Sequence, residues 1–156
     1  MRGSTFLGLA LSFFAASASA AQAQARSDLS GRWVTEGFGS IVEFRPCAAA
    51  GEMCGRIVWL WAAAADGAPR LDARNPDPSL RRRPVVGVEI VSGLRQTTPG
   101  TWERGRLYNP DDGRTYTGTL RLRDGQLELR GCALGVVCRN QIWRRPQDLL
   151  AAARIQ

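Results

Sequence analysis

The chain has 156 residues, with 21 Arg, 14 acidic residues, no Lys and no His, and a formal charge of +7. The absence of His removes the usual general base, the Ser-His and Cys-His nucleophile pairs and most metal sites. A protein this basic is attracted weakly to the anionic lipids, glycans and polymers of a cell envelope whatever its function, so the charge by itself assigns no activity.

The first 25 residues have the features of a secretory signal peptide. Arg2 supplies the positive end, the apolar run that follows is too short to span a bilayer, and small residues predict cleavage after Ala20 or Ala25. No Cys lies near the cut, and no later run is long enough for a transmembrane helix. We therefore expect a periplasmic or secreted protein that is not a lipoprotein, in which residues 26–156 form a single domain.

Eight short segments of the remaining chain have the composition and alternation of β-strands. The predicted strands are 31–36, 40–46, 54–61, 85–94, 100–109, 113–123, 126–131 and 138–145. Asp124-Gly125 is a strong hairpin signal, because both turn positions favour positive φ. Residues 146–156 are predicted to be helical, with Asp148 as the cap. The pattern predicts an all-β protein, a single antiparallel up-and-down barrel of roughly eight strands with a short C-terminal helix; a β-sandwich is the alternative.

The four cysteines form two close pairs in the sequence, which suits disulfides in an oxidising compartment. We predict the bridges Cys47–Cys54 and Cys132–Cys138, although the sequence alone permits three pairings. A zinc site is the weaker alternative, since neither pair has the spacing of a zinc knuckle and the chain has no His. No metal and no cofactor are expected.

Several motifs in combination resemble a secreted bacterial family. They are GRW at 31–33, CGRIVWL at 54–60, D-x-x-N-P-D-x-x-L-R-x-R-P-x-x-G at 72–87, W-x-x-G-x-x-Y-x-P-x-x-G-x-x-Y at 102–116 and LRGC…CRNQIWRR at 129–145. This set is similar to domain of unknown function 2147 over nearly the whole chain beyond the signal peptide. The resemblance implies a lipocalin-like barrel and no assigned activity.

The first predicted strand carries a G-x-W motif, Gly31-Arg32-Trp33, of the kind found in lipocalin-like barrels. In those barrels the indole closes one end and an Arg near the last strand packs over it; Arg144 and Arg145 are the candidates here. A guanidinium over an indole face contributes about 0.5–2 kcal/mol. We therefore expect Gly31, Trp33 and Arg144 or Arg145 to be structural.

The connection at residues 62–83 is longer than most in compact domains, and such connections are usually functional or disordered. A structural explanation accounts for its unusual residues. Asp77 begins a helical turn as its cap, and Asp72 or Asp77 pairs with Arg81 or Arg83. In this view the connection is a rigid link without a ligand.

The functional explanation makes the same connection a lid over the barrel mouth. Arg81 and Arg83 would then hold an anionic group, because the planar guanidinium suits carboxylate and phosphate. The other candidate ligand-binding residues are Asp72, Asn75, Trp59, Trp61, Tyr108 and Tyr116, with barrel-lining aromatic rings holding an apolar part. A calcium loop using Asp72, Asn75 and Asp77 is the weaker alternative, since the central Gly and terminal Glu of such loops are missing.

The first functional hypothesis is a non-enzymatic periplasmic barrel that binds a small amphipathic or anionic molecule at its mouth. The alternative is a cell-envelope interaction protein with a solid core, whose basic loops contact a protein partner or an anionic polymer. An unrecognised hydrolase ranks third, because the chain has no G-x-S-x-G elbow, phosphate loop or metal motif. Secretion argues against nucleic acid as a partner. We expect the protein to be a monomer.

Overall fold

The computed structural model describes residues 28–61 and 67–153, which form an eight-stranded antiparallel sheet followed by a helix. The strands are β1 (Gly31–Val34), β2 (Ser40–Pro46), β3 (Glu52–Leu60), β4 (Glu89–Thr98), β5 (Thr101–Asn109), β6 (Arg114–Arg123), β7 (Gln126–Ala133) and β8 (Val137–Trp143). Helix α1 is Pro146–Ala153, and short 3₁₀ turns lie at Glu36–Phe38 and Pro78–Leu80. The signal peptide predicted for residues 1–25 lies outside the described residues.

The sheet curls until its two edges meet. Each strand pairs with the next one in the chain. Val34 at the end of β1 exchanges two backbone hydrogen bonds with Arg144, which follows β8: Val34 N donates to Arg144 O at 2.8 Å, and Arg144 N donates to Val34 O at 3.1 Å. A sandwich would divide the strands between two sheets, so the all-β barrel prediction is confirmed.

The up-and-down order sorts the connections between the two ends of the barrel. Connections β1–β2, β3–β4, β5–β6 and β7–β8 lie at one end, which we call the mouth end. The start of β1, the β2–β3 turn and helix α1 lie at the opposite end, which we call the closed end. The long connection is therefore at the mouth end, as its lid hypothesis requires.

Large apolar side chains fill the interior of the curled sheet. The core cluster comprises Leu29, Trp33, Val42, Phe44, Ile57, Val85, Val91, Leu94, Trp102, Leu107, Leu120, Leu127, Leu129 and Trp143. Two inward-facing glycines make room for it: a Cβ on Gly105 would lie 2.4 Å from Leu94, and one on Gly118 would lie 2.4 Å from Leu107. The space beside these glycines is thus occupied by leucines, as in small barrels whose interior is packed with side chains.

The closed end is built around Trp33. Its indole is fully buried, and Nε1 donates to the Leu29 carbonyl at 2.9 Å. The Arg145 guanidinium lies over the ring, 3.9 Å from the centroid, and donates to the carbonyls of Ser30 at 2.7 Å and Asp28 at 2.6 Å. Burial lowers the pKa of Arg145, but a guanidinium keeps its charge at any physiological pH.

Of the two candidate arginines, the structure places Arg145 and not Arg144 over the indole. Arg144 leaves its side chain exposed and contributes only the backbone bridge to Val34. Gly31 has a φ of +94°, and its missing Cβ would lie 3.0 Å from Arg145 Nη1. The glycine of the G-x-W motif therefore provides both the backbone angle and the room for the guanidinium.

Both predicted disulfides are present. Cys47–Cys54 closes the β2–β3 turn, and Cys132–Cys138 links residues that are direct partners in the β7–β8 ladder. The described chain has no free cysteine. The zinc alternative is therefore excluded for these residues.

Strand β4 begins at Glu89, four residues later than the predicted start at 85. Val85 and Val88 are buried, but Gly87 between them has a φ of +98°, which is incompatible with a regular strand. Val85 N instead donates to the Arg70 carbonyl at 2.8 Å. The apolar run at 85–88 therefore ends the long connection and packs it onto the core.

Helix α1 begins at Pro146, where the missing N–H of proline costs no hydrogen bond. Asp148 is the third residue of the helix, so the prediction that it caps the helix is wrong. A carboxylate in the first turn still interacts favourably with the helix dipole. Among the described residues, no helix has the length and apolarity needed to cross a membrane.

Candidate functional site

The described part of the long connection, residues 67–88, folds back on itself as two paired arms. Asp72 N donates to the Arg83 carbonyl at 3.0 Å, and Val85 N donates to the Arg70 carbonyl at 2.8 Å. This pairing brings the side chains of Asp72 and Arg83 together across the arms. Residues 62–66 of the predicted lid lie outside the described residues.

The turn between the two arms is the capped turn that the sequence predicts. Pro78 occupies its first position, and Asp77 accepts from Ser79 N at 2.9 Å and from the Ser79 hydroxyl at 2.7 Å. These hydrogen bonds hold the pKa of Asp77 below its usual value. Asp77 is therefore a cap. Among residues 28–61 and 67–153, no group of three or more acidic or cysteine side chains is placed to hold a metal ion.

Asp72 is a fully buried carboxylate at the centre of what we call the Asp72 cluster: Asp72, Asn75, Arg83 and Tyr108. Arg83 donates to Oδ2 from Nε at 3.0 Å and from Nη2 at 2.8 Å, and Asn75 Nδ2 donates to the same oxygen at 2.7 Å. The Tyr108 hydroxyl donates to Oδ1 at 2.5 Å. A buried charge is stable only when it is paired and hydrogen-bonded in this way.

The two acidic groups of the cluster have pKa values displaced in opposite directions. Burial, the largest influence, would raise the pKa of Asp72, but the hydrogen bonds from Tyr108, Asn75 and Arg83 and the charge of Arg83 together lower it. Burial, followed by the hydrogen bond to Asp72, raises the pKa of Tyr108 to about 12. At neutral pH Asp72 is ionised and Tyr108 is protonated. A general acid or base works best with a pKa near the operating pH. The pKa values of this pair lie away from neutral pH, so the pair is suited to holding the connection on the barrel wall and not to proton transfer.

The three consecutive arginines of the connection have three different environments. Arg81 Nε donates to the Asn75 carbonyl at 2.8 Å and so holds the connection together. Arg83 forms a hydrogen-bonded ion pair with Asp72. Arg82 is exposed and forms no side-chain hydrogen bond or ion pair within the described part of the chain. The lid hypothesis expected Arg81 and Arg83 to bind a common anion. Their side chains instead bind two different groups of the connection itself.

The connection is seated on the β5–β6 turn. Arg70 forms an ion pair with Asp111, and Arg74 donates to the Asp111 carbonyl. A Cβ on Gly113 would overlap the Arg74 carbonyl oxygen, which lies 1.9 Å from its ideal position. These contacts fix the connection against the neighbouring turn.

Strand register shows that the Asp72 cluster lies on the outer face of the sheet. Leu107 belongs to the core, so its neighbours on β5, Arg106 and Tyr108, point outward. Ser92 on β4 pairs with Arg106, and Thr115 on β6 pairs with Tyr108, so these side chains point outward too. The part of the connection around Asp72, Asn75 and Arg83 therefore lies against the outside of the barrel wall near the mouth end, and not over the mouth as the lid hypothesis expected.

A groove of about 280 Å³ lies between the connection and this outer face, and we call it the outer groove. Its lining residues are Asn75, Pro76, Arg83, Glu89, Ile90, Ser92, Arg106, Tyr108 and Thr115. Arg106 is exposed, and its side chain forms no hydrogen bond or ion pair with any described residue. The groove thus combines a cation available for a ligand with walls held in place by the Asp72 cluster.

Two of the predicted ligand residues, Trp59 and Trp61, lie on the outside of the barrel. Their exposed fractions are 41% and 74%, and their rings meet edge to face at 5.7 Å between centroids. Val42 pairs with Ile57, but its neighbour Ile41 pairs with Trp59, so β3 contains one extra residue between the two pairs. This β-bulge turns Trp59 to the outer face that Ile41 occupies. The prediction that these rings line the barrel is wrong.

Tyr116 is also separated from the cluster. It pairs with Leu107 and therefore faces inward, and its hydroxyl donates to Asp112 in the β5–β6 turn. That hydrogen bond raises the pKa of Tyr116. Tyr108 and Tyr116 are close in the ladder, but they lie on opposite faces of the wall.

The sequence reasoning missed six of the nine residues that line the outer groove: Pro76, Glu89, Ile90, Ser92, Arg106 and Thr115. Arg106 had a local signal, because it lies two positions from Tyr108 on a predicted strand and must share its face. Ser92 and Thr115 had none, since only the pairing of β4 and β6 with β5 brings them to the groove.

Comparison with known proteins gives one family and one solved structure. The sequence profile of domain of unknown function 2147, described as an uncharacterized protein conserved in bacteria, matches residues 31–145. The structure is similar to that of protein HP1028 from the human pathogen Helicobacter pylori, described as belonging to the lipocalin family. The TM-score is 0.64 and the identity 28%, over 76% of this chain and 82% of that one. A search of curated proteins finds no match.

Proposed function

The chain belongs to the family of domain of unknown function 2147 and has a lipocalin-like fold, and from this we propose that it is a binding protein that holds a small polar anion in the outer groove. Lipocalin-like folds suit binding better than catalysis. The observation that carries the proposal is the free guanidinium of Arg106 in a preformed groove of about 280 Å³.

The chemistry of the groove favours an anion with little apolar surface. Arg106 presents a planar fork that suits a carboxylate or phosphate. Ser92 and Thr115 offer hydroxyl donors, whereas Glu89 opposes an anion beside it, and the apolar contribution is limited to Pro76, Ile90 and the Tyr108 ring. The volume is near the lower end of ligand pockets, about 300 Å³, and fits a small molecule and not a long acyl chain.

The Asp72 cluster supports this function by fixing one wall of the groove before a ligand arrives. Arg83, Asn75 and Tyr108 line the groove and are at the same time bonded to the buried carboxylate of Asp72. A wall that needs no reordering on binding preserves affinity, since less conformational entropy is lost.

We place this function in the periplasm or outside the cell. The two disulfides support an oxidising compartment, where such bonds form and persist. The protonation states of Asp72 and Tyr108 support a binding role over a hydrolytic one, since neither group is poised to transfer a proton near neutral pH.

The test is calorimetric titration of the protein with succinate, phosphate and octanoate, with Arg106→Gln as the variant. We expect succinate or phosphate to bind and octanoate not to bind. Loss of a charge-assisted guanidinium contact should weaken binding by about tenfold or more. Arg82→Gln is the matched control, because Arg82 is an exposed arginine of the connection that does not line the groove. Binding of octanoate alone, or anion binding equal in wild type and Arg106→Gln, would contradict the proposal.

A further inference from the structure

Six large apolar side chains are exposed near the mouth end, on β3, the β1–β2 connection and the β7–β8 turn. We call them the apolar rim: Phe38, Trp59, Trp61, Leu134, Val136 and Val137. The exposed fractions reach 98% for Leu134, 79% for Val136 and 72% for Val137. Single exposed apolar residues are common on proteins, but three together at the tip of one hairpin, Leu134, Val136 and Val137, form the kind of patch that marks an interaction surface.

The three segments that carry the rim all lie at the mouth end of the barrel. The 3₁₀ turn Glu36–Phe38, in the β1–β2 connection, contacts the other end of β8, because the nearby Val34 pairs with Arg144. Trp61 N donates to the Gly39 carbonyl at 3.0 Å, which ties the end of β3 to the same connection. The rim is separate from the outer groove, which lies on β4, β5 and β6.

The β7–β8 turn holds its apolar side chains away from the core in a fixed conformation. The disulfide Cys132–Cys138 links the strands immediately below the tip, and Val136 N donates to the Ala133 carbonyl at 3.1 Å. Leu134 has a φ of +51°, as residues of tight hairpin turns often do. The tip is therefore a cross-linked and hydrogen-bonded turn that projects its apolar side chains.

The charge around this projection favours an anionic partner. The two strands that carry the tip, from Leu129 to Trp143, contain two arginines and no acidic residue. Arg130 and Arg139 lie just below the disulfide, and both are exposed. Glu36, beside Phe38, is the acidic exception in the wider rim.

An apolar tip above a pair of arginines, with two tryptophans at the same end of the barrel, has the chemistry of a peripheral membrane contact. Apolar side chains enter the boundary between headgroups and acyl chains, and arginines meet the lipid phosphates. Tryptophan prefers the level of the headgroups because its ring is apolar and its N–H is polar. A convex tip that is 98% exposed at Leu134 suits a soft surface, whereas a rigid partner would need a matching groove.

We propose that the apolar rim docks the protein on an anionic phospholipid surface. The β7–β8 tip inserts, and Trp59 and Trp61 lie at the headgroups. The proposal does not depend on the outer groove or on its ligand.

The experiment is co-sedimentation of the full protein with vesicles of phosphatidylcholine, alone or mixed with phosphatidylglycerol. We expect binding to the mixed vesicles that weakens with added salt. The triple variant Leu134→Ser, Val136→Ser and Val137→Ser should bind the mixed vesicles about tenfold or more weakly, because the tip loses its apolar area. It should fold normally, since all three side chains are already exposed. Leu150→Ser is the matched control, an apolar residue 63% exposed on α1 at the closed end.

Fluorescence quenching by brominated lipids gives a second readout of the docking geometry. Three of the five tryptophans, Trp33, Trp102 and Trp143, are buried, so quenching should report Trp59 and Trp61. The double variant Trp59→Phe and Trp61→Phe should remove most of it.

Three outcomes would overturn the proposal. One is equal sedimentation of the wild type and the triple serine variant. Another is binding that is the same with and without phosphatidylglycerol. The third is a dimer in light scattering that the triple serine variant converts to a monomer, without vesicle binding, because the rim would then cover a second copy of the chain.

Discussion

Replacing Asp72 with Asn tests the centre of the candidate site. The substitution keeps the size of the side chain and removes its charge. Asp72 is 0% exposed and accepts hydrogen bonds from Asn75, Arg83 and Tyr108. An amide has one acceptor oxygen, and its NH₂ group would face donors that already point at the site.

The expected loss of stability follows from the burial of the pair. Removing one partner of a buried ion pair costs about 3–5 kcal/mol. The Arg83 side chain is 36% exposed and regains part of its hydration, so the cost should be about 2–4 kcal/mol in the free energy of unfolding. For a chain of this size that corresponds to a decrease of about 6–15 °C in Tm.

The assay is urea denaturation followed by tryptophan fluorescence, at neutral pH and in acid. Because the pKa of Asp72 is lowered by folding, its ionisation stabilises the folded state fully above its ordinary value of 3.8 and is lost as pH falls through the lower, folded value. The difference between wild type and Asp72→Asn should therefore be full at neutral pH and shrink below pH 3.8.

The matched control is Asp77→Asn, a change in a neighbouring acid that is exposed and acts as a cap. Asn caps about as well as Asp, so the control should change the free energy of unfolding by less than about 0.5 kcal/mol. If the two variants lose equal stability, or if Asp72→Asn matches the wild type at neutral pH, the account of the Asp72 cluster is wrong.

The remaining predictions concern the second acid of the cluster and the closed end. The chain has two tyrosines, and ultraviolet titration should show one that ionises near pH 12 and is absent in Tyr108→Phe. Because its pKa is raised, Tyr108 should stabilise the fold fully below pH 10 and lose that contribution as pH rises through about 12; a midpoint near 10 would refute this. Arg145→Ala should lower the free energy of unfolding by about 2 kcal/mol, through the lost contact with Trp33 and two carbonyl hydrogen bonds. Arg144→Ala should cost less than about 0.5 kcal/mol, and equal losses in urea denaturation would contradict the assignment.

Features that depend on neighbours in the chain were predictable from the sequence. Alternation and turn residues predict eight strands and a barrel, and the spacing of the cysteines indicates both disulfides. The Asp77 cap was equally local, because the carboxylate and the Ser79 amide it binds are two residues apart. The strand ends depend on packing, as at residues 85–88, where an apolar run packs onto the core without entering the sheet.

Features that depend on pairing between distant segments required the tertiary structure. Composition predicts that tryptophans on strands face the core, but one extra residue in β3 turns Trp59 outward. The acids and arginines of the connection looked available for a ligand, and folding places Arg83 on Asp72. Arg106, which no motif singled out, is the cation of the outer groove that has no partner among the described residues.

The sequence by itself indicated the strands, the turns and the two disulfides of this protein, because each follows from local backbone preference or short spacing, whereas the choice of Arg145 over Arg144 to cover Trp33 needed the structure. Only the tertiary structure decided which face of the wall the long connection covers and which charged groups neutralise one another. Those outcomes follow from strand register and from the cost of burying an unpaired charge. Both depend on contacts between residues far apart in the chain, such as Asp72 and Tyr108.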